Sequence, residues 1–287
     1  MAVSRLVAPV YVATGAHLER LARPHIARAL GLRIADPQVR TISRRFLANS
    51  ASCRMLDLVL GKLEAQRKLG CSELIGLQNL TEALAEGKGV LVASGHFFGN
   101  RAAKRYLASL GYPMLSVRNL HPPDPFQMTA PCDPSKPGRH GGPGLALQDA
   151  VSTQDADCAL KVFNRLRSGG LVNVHYDAAQ PRAGSEHPFL GARSCFATGF
   201  LKIAYHAGSP IVPMLCLIGK DGPRIRFQPS LAILPGPDPD KFVSRALSRL
   251  VELLESQILR YPEQWAHWAL MGQAGIAGER KGTRDGA

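Results

Sequence analysis

Aromatic residues make up only 6 % of the 287-residue chain, and no run interleaves them with basic residues. That argues against a surface that stacks single-stranded nucleic acid. The six cysteines (53, 71, 132, 158, 195 and 216) contain no Cys-x-x-Cys pair and no regular spacing. They read as reduced thiols, neither a disulfide framework nor a zinc site. The nine histidines do not pair at ligand spacing and His-Glu-x-x-His is absent, so no metal is expected. Also missing are the G-x-G-x-x-G and G-x-x-x-x-G-K-[ST] phosphate loops and the G-x-S-x-G nucleophile elbow, which removes the common nucleotide-binding and serine-hydrolase readings. Nowhere do 18 apolar residues run uninterrupted, so no membrane-spanning helix is expected. The apolar run Leu6 to Leu18 is broken by Pro9, Gly15 and His17 and does not read as a secretory signal.

What the chain does have is apolar mass and positive charge. A hydrophobic fraction of 45 % supports a sizeable core. The net charge is +13, from 35 basic and 22 acidic residues. Such an excess points to an anionic partner: nucleic acid, a membrane surface, or an acidic carrier or phosphorylated substrate. Residues 1–50 concentrate it, with eight arginines, no lysine and two acids, Glu19 and Asp36. Leu18, Leu21 and Ile26 fall between the charges at helical spacing. The segment reads either as a basic amphipathic, membrane-docking element or as a solvated surface helix.

Along the rest of the chain, apolar strands alternate with amphipathic helices. Val90 to Ala93, Met114 to Val117, Leu171 to Val174 and Ile211 to Ile218 are short apolar runs bounded by turn residues, and Arg224 to Gln228 alternates. Helical patterns are expected over Met55 to Leu69, up to Gly87 from an N-cap at Asn79 or Thr81, and over Ala102 to Leu110. Three more are expected over Asp155 to Arg167, over Thr198 to Ala207 with Thr198 as N-cap, and over Asp240 to Leu259. Residues 121–145 are rich in proline and glycine and read as a long loop, and Ala178 to Ser194 reads as a polar loop. This alternation predicts an α/β fold with a mostly parallel central sheet flanked by helices. Three parts are expected: residues 1–75 as an N-terminal basic helical segment, 76–270 as the α/β domain, and 271–287 as a flexible tail.

The chemistry-bearing stretch is Ser94-Gly-His-Phe-Phe-Gly-Asn100, between the first of these strands and the helix after it. It puts His96 at the carboxyl end of a buried strand, where α/β proteins hold their ligands. A histidine there can serve as a general base. Gly99 and Asn100, at the helix start, are expected to offer free backbone N–H groups to a developing oxyanion or a phosphate.

These residues resemble the first motif of the bacterial lipid A (lauroyl/myristoyl-type) acyltransferases, part of the glycerolipid acyltransferase superfamily. That branch typically reads Gly-Val-…-His-Phe-Gly-Asn-Trp-Glu, against Gly89-Val-Leu-Val-Ala-Ser-Gly-His96-Phe-Phe-Gly-Asn-Arg101 in this chain. Four further blocks follow in order. Leu166 to Asp177 resembles a block ending in Asp-Gln, and Phe189-Leu-Gly-Ala-Arg193 with Thr198-Gly199 resembles Pro-Phe-Phe-Gly…Thr-Gly. Gly208-Ser-Pro-Ile-Val-Pro213 resembles Gly-Ala-Pro-Val-Val-Pro, and Tyr261-Pro-Glu-Gln-Trp265 resembles His-Pro-Glu-Gln-Trp. The likeness covers roughly residues 70 to 268.

The resemblance implies a glycerolipid-acyltransferase-like fold without metal or redox cofactor. It implies transfer of a fatty acyl group from acyl carrier protein or acyl-CoA to a hydroxyl of a lipid acceptor, at the cytoplasmic face of the inner membrane through peripheral contact. Nucleic acid is not an expected partner. One departure bears on the chemistry. The family's histidine is followed five positions later by Asp or Glu, and that position here is Arg101, or Ala102 if one Phe is an insertion. Losing the orienting acid of a serine-protease triad costs about 10⁴ in rate. Two substitutes are open: Asp177, at the carboxyl end of another strand, or the Asn100 side chain or a backbone carbonyl holding the tautomer. Arg101 would then bind an anionic group, as could Arg118, Arg182 and Arg193 in the loops. The alternative is a non-catalytic lipid- or carrier-binding paralogue that has lost the acid.

Overall fold

The computed structural model describes residues 15–118, 150–177, 184–231 and 238–271. The expectations for the 121–145 loop, for Arg182 and for most of the tail lie outside them. Two helices open the described chain, α1 (Ala16–Leu30) and α2 (Pro37–Ala65). The helix expected from Met55 is the second half of α2, which starts much earlier. Asp36 stands at its beginning and accepts a bond from the Gln38 N–H at 2.7 Å, the Asp-Pro start that caps a helix well. The buried sides of α1 and α2 supply Ala22, Ile26, Val39, Phe46 and Leu47 to the main core.

Nine strands follow among the described residues: β1 (Glu73–Ile75), β2 (Val90–Ser94), β3 (Met114–Arg118), β4 (Ala150–Ser152), β5 (Leu171–His175), β6 (Gly184–Phe189), β7 (Ala192–Ala197), β8 (Ile211–Gly219) and β9 (Gly222–Phe227). Seven of them form one sheet in the order β1-β9-β8-β2-β5-β3-β4. The neighbours from β8 to β4 run parallel, β9 returns antiparallel to β8, and β1 runs parallel to β9. This is the mostly parallel sheet expected from the sequence. Helices α3 (Leu77–Ala85), α4 (Asn100–Ser109), α5 (Cys158–Arg167), α6 (Gly199–Ala207) and α7 (Pro239–Arg260) connect and cover it.

Both faces of the central strands are buried, which is why they read as unbroken apolar runs. Val90 and Val92 pack with Leu80 of α3 and with Ala103 and Leu107 of α4 on one face. Leu91 and Ala93 pack on the other with Leu166 of α5, Leu201 of α6 and Leu247, Leu250 and Leu254 of α7.

Three differences from the sequence reading have local causes. Helix α3 is entered from Gly76 at φ 73, not from Asn79 or Thr81. That left-handed glycine turns the chain straight out of β1, a strand too short to show a pattern. From Gly184 on, the expected polar loop is the hairpin β6–β7, which runs to Ala197 and is closed by Leu190 and Gly191 at φ 50 and 73. Two consecutive positive φ values make the turn that matches strand twist, and the polar run Gly184 to Pro188 hides the strand. Thr198 does precede α6, but its side chain makes no capping bond.

Candidate active site

The site is set by strand register. β2 and β5 are parallel neighbours with Ser94 opposite His175. Two residues past each of these, the chain presents His96 and Asp177 at the same carboxyl edge. The His96 Nδ1 lies 2.6 Å from Asp177 Oδ1, and the His96 backbone N–H donates to Oδ2 at 2.8 Å. The carboxylate is sealed while the imidazole is reachable: side-chain exposure is 2 % for Asp177 and 31 % for His96.

Burial alone would push the Asp177 carboxyl up. The charge and hydrogen bonds of His96, with a contribution from His267, outweigh it and hold the carboxyl well below the usual carboxylate range. An ionised carboxylate only accepts, so neutral His96 carries its proton on Nδ1 and leaves Nε2 as a lone pair.

Two 3₁₀ turns after α7, Pro262–Gln264 and Ala266–Ala269, close over this pair. Trp265 pairs with Phe97 in an antiparallel bridge. The Ala266 N–H donates to the His96 carbonyl at 2.7 Å, and the Phe98 N–H to the Gln264 carbonyl at 3.1 Å. The Trp265 indole N–H donates to Asp177 Oδ2 at 2.8 Å, and His267 Nδ1 bonds the Asp177 carbonyl at 3.0 Å. His96 therefore lies between two imidazoles, with ring centroids 3.9 Å from His267 and 4.4 Å from His175. Burial, and then the neighbouring His96, push His267 down to about 3 and His175 well below its ordinary value. Both flanking rings are neutral at neutral pH.

Donor atoms of His96, Asp177 and His267 come within 4.8 Å of one another, a grouping invisible in the sequence spacing. Both Nδ1 atoms and both carboxylate oxygens are already engaged in hydrogen bonds. The set is wired as a hydrogen-bonded cluster.

Asn100 is buried and its Nδ2 donates to the Gly95 carbonyl at 2.6 Å, so it ties down the turn before His96 without bonding the ring. The expectation of free amides at the helix start needs correction. The Gly99 N–H donates to the Cys216 carbonyl and the Asn100 N–H to the Phe97 carbonyl, each at 3.2 Å. The start of α4 sits directly on β8: a Cβ on Gly99 would lie 2.3 Å from the Leu217 carbonyl oxygen. Only glycine allows that approach.

Of the candidate arginines, Arg101 pairs with Asp57 of α2 at 2.8 Å. Burial pushes the Asp57 carboxyl up against the pull of Arg101, Arg105 and Arg54. Arg193 pairs with Glu186 across the hairpin at 3.3 Å and is largely exposed. Arg118 ends β3, and its charge, like that of Arg101, acts on a residue the sequence reading passed over, Lys104. Lys104 lies on the sheet-facing side of α4, one turn beyond Asn100, and its Nζ donates to Ser116 Oγ at 3.2 Å. A lysine amid Ala103 and Leu107 on an apolar face was the available signal. Trp265 and His267 were also passed over, and only the Pro-Glu-Gln-Trp block hinted at the first.

The profile of the bacterial lipid A biosynthesis acyltransferases matches residues 60–270. No curated protein matches the chain.

Proposed function

The chain belongs to the bacterial lipid A biosynthesis acyltransferase family, and on that footing we propose that it moves a fatty acyl group from a thioester to a hydroxyl of a lipid acceptor, with His96 as general base. His96 Nε2 takes the proton of the acceptor hydroxyl as its oxygen attacks the thioester carbonyl. The C–S bond then breaks as the ester C–O bond is completed, and the same nitrogen returns the proton to the departing thiolate. Asp177 stabilises the imidazolium that forms between these steps, as a triad aspartate does.

The observation that carries this reading is the 2.6 Å bond between His96 Nδ1 and a sealed, ionised Asp177. It supplies the acid that Arg101 cannot. It also weakens the alternative of a non-catalytic lipid- or carrier-binding paralogue, because Arg101 has its own partner in Asp57. The oxyanion is left to donors other than the Gly99 and Asn100 amides, which are occupied.

The donor is acyl carrier protein or acyl-CoA, both polyanionic and suited to a chain of net charge +13. Docking to an anionic membrane falls to α1, α2 and the segment between them, where Arg20, Arg28, Arg33, Arg40, Arg44 and Arg45 are exposed together with Ile34. Each basic residue near such a surface contributes about 1 kcal/mol. Among the described residues no helix is long and apolar enough to cross a membrane.

The test is thioester consumption by wild type, His96→Ala and Asp177→Asn, with acyl carrier protein and CoA donors and a panel of hydroxylated lipids. Wild type should exceed both variants, Asp177→Asn falling by about 10⁴. A wild type no faster than His96→Ala with every pair refutes the catalytic reading.

A further inference from the structure

Asp177 stands two residues past the end of β5, and two soft side-chain torsions separate its carboxylate from the backbone. Both bonds from His96 come from the residue that Asp177 is supposed to orient. The backbone N–H anchors Oδ2 at one point, but a single fixed donor leaves the carboxylate free to turn about it. Two groups from the C-terminal turns remove that freedom. The Trp265 N–H meets Oδ2, and the indole that aims it is fully buried, edge-on to Phe189 and Trp268. His267 Nδ1 must be the donor in its bond, since a peptide carbonyl only accepts. It fixes the plane of the Asp177 peptide, while its ring lies stacked at 25° against His96.

We propose that Trp265 and His267 are positioning residues, which hold Asp177 in the orientation that takes the Nδ1 proton of His96 and so make the turns 262–269 part of the catalytic apparatus. The claim rests on His96 acting as the base. Among the described residues Oδ1 has a single partner, the His96 ring, while Oδ2 takes the His96 backbone N–H and the Trp265 indole. Remove the indole donor and the carboxylate can turn about the His96 backbone N–H, which draws Oδ1 away from the ring proton. The carboxylate then samples geometries in which Nδ1 is no longer the favoured proton site, and Nε2 is protonated part of the time. A base protonated at Nε2 cannot accept the substrate proton.

The experiment uses the full chain. Trp265 is replaced by 3-benzothienylalanine, which keeps the shape of indole and lacks its N–H, and in a second variant by Phe. His267 is replaced by Phe, which keeps a ring without the donor, and by Asn, which keeps an N–H where Nδ1–H stands. Two quantities are read: the ¹⁵N shifts of the His96 ring nitrogens, and kcat and KM of thioester consumption. Wild type and His267→Asn should show one tautomer, protonated at Nδ1. The benzothienyl, Trp265→Phe and His267→Phe forms should show a mixture, with kcat down about tenfold, the worth of one hydrogen bond, and KM within about twofold. An unchanged tautomer in the benzothienyl and His267→Phe forms overturns the proposal, as does a kcat loss matched by an equal rise in KM. If wild type transfers no acyl group at all, the catalytic reading falls separately, and the tautomer still decides whether these two residues position Asp177.

Discussion

Replacing Lys104 by methionine should stabilise the folded protein at pH 6 and cease to do so near pH 10. The Lys104 side chain is 9 % exposed, under α4 against the ends of the central strands. Among the described residues the one bond given to its ammonium is to Ser116 Oγ. Burial, followed by the like charges of Arg118 and Arg101, pushes its pKa down from 10.5 to about 7, while the Cys216 thiol opposite is held protonated by its own burial. At 1.36 kcal/mol per pH unit that depression is a penalty of about 5 kcal/mol on the folded state.

The sign follows from proton counting. Between about pH 7 and 10.5 the unfolded chain keeps the proton that the folded chain has given up, so unfolding takes up a proton and stability rises with pH. The penalty is complete below about pH 7 and gone above about 10.5. Methionine keeps most of the apolar stem, removes the charge and loses the Ser116 bond, worth about 1 kcal/mol. Relaxation around the ammonium lowers the ceiling further. The expected gain is therefore about 2–4 kcal/mol at pH 6, shrinking to about zero near pH 10 and to a loss of about 1 kcal/mol above about pH 11. Urea unfolding of both proteins across that range gives the difference free of groups that titrate in each. A difference that does not change with pH, or a variant less stable at pH 6, refutes the reasoning.

Other substitutions test the frame of the site. Arg101→Glu puts a carboxylate against Asp57 in place of an ion pair on a half-exposed surface, and should cost about 1 kcal/mol. It should not raise thioester consumption, because Asp177 already occupies His96 Nδ1; a rise would mean that Asp177 is not the working acid. Gly99→Ala drives a methyl into the backbone of β8 and should cost about 3 kcal/mol in urea unfolding; an unperturbed midpoint would contradict the close contact of α4 with Leu217. Acid should destabilise the fold from pH 6.5 downward, since His267 must charge against a pKa lowered to about 3 and, further down, the depressed carboxyl of Asp177 must take up its proton. In His267→Asn the first of these is gone, and the stability curve between pH 6.5 and 3 should be flatter than that of wild type.

The encounter of His96 with Asp177 was partly legible in the sequence. Val90 to Ala93 and Leu171 to Val174 announce themselves as buried parallel strands, and a polar residue just past each belongs at the carboxyl edge. Register cannot be read from such runs, so Asp177 and Asn100 stood as equal candidates until the pairing of Ser94 with His175 separated them. The free amides at Gly99 and Asn100 were misjudged for a related reason. A helix start offers unpaired N–H groups only if nothing packs beneath it, and nothing in the sequence says that β8, over a hundred residues later, supplies the Cys216 carbonyl. Trp265 and His267 lie in turns with no period to read, and their contacts reach back almost ninety residues. Long-range closure of this kind is where composition and periodicity carry no information.

On the proposed reading the acid stands just past β5 and not on the helix, which changes what holds the site together. An acid five residues after the histidine would be fixed by one turn of local helix. Asp177 instead depends on the β2–β5 register and on the turns that close over it. The helix position, relieved of that duty, carries Arg101, whose pairing with Asp57 joins α4 to α2. That joint has company. The Cys53 thiol of α2 donates to the Phe98 carbonyl at 3.2 Å, and Asn49 Nδ2 donates to the Glu263 carbonyl at 2.9 Å. Helix α2 therefore grips the His96 loop, the start of α4 and the first C-terminal turn at once. The long basic helix is part of the frame that fixes His96, and a substitution on its inner face, such as Asn49→Ala, should lower activity through geometry while leaving the cluster around Asp177 chemically intact.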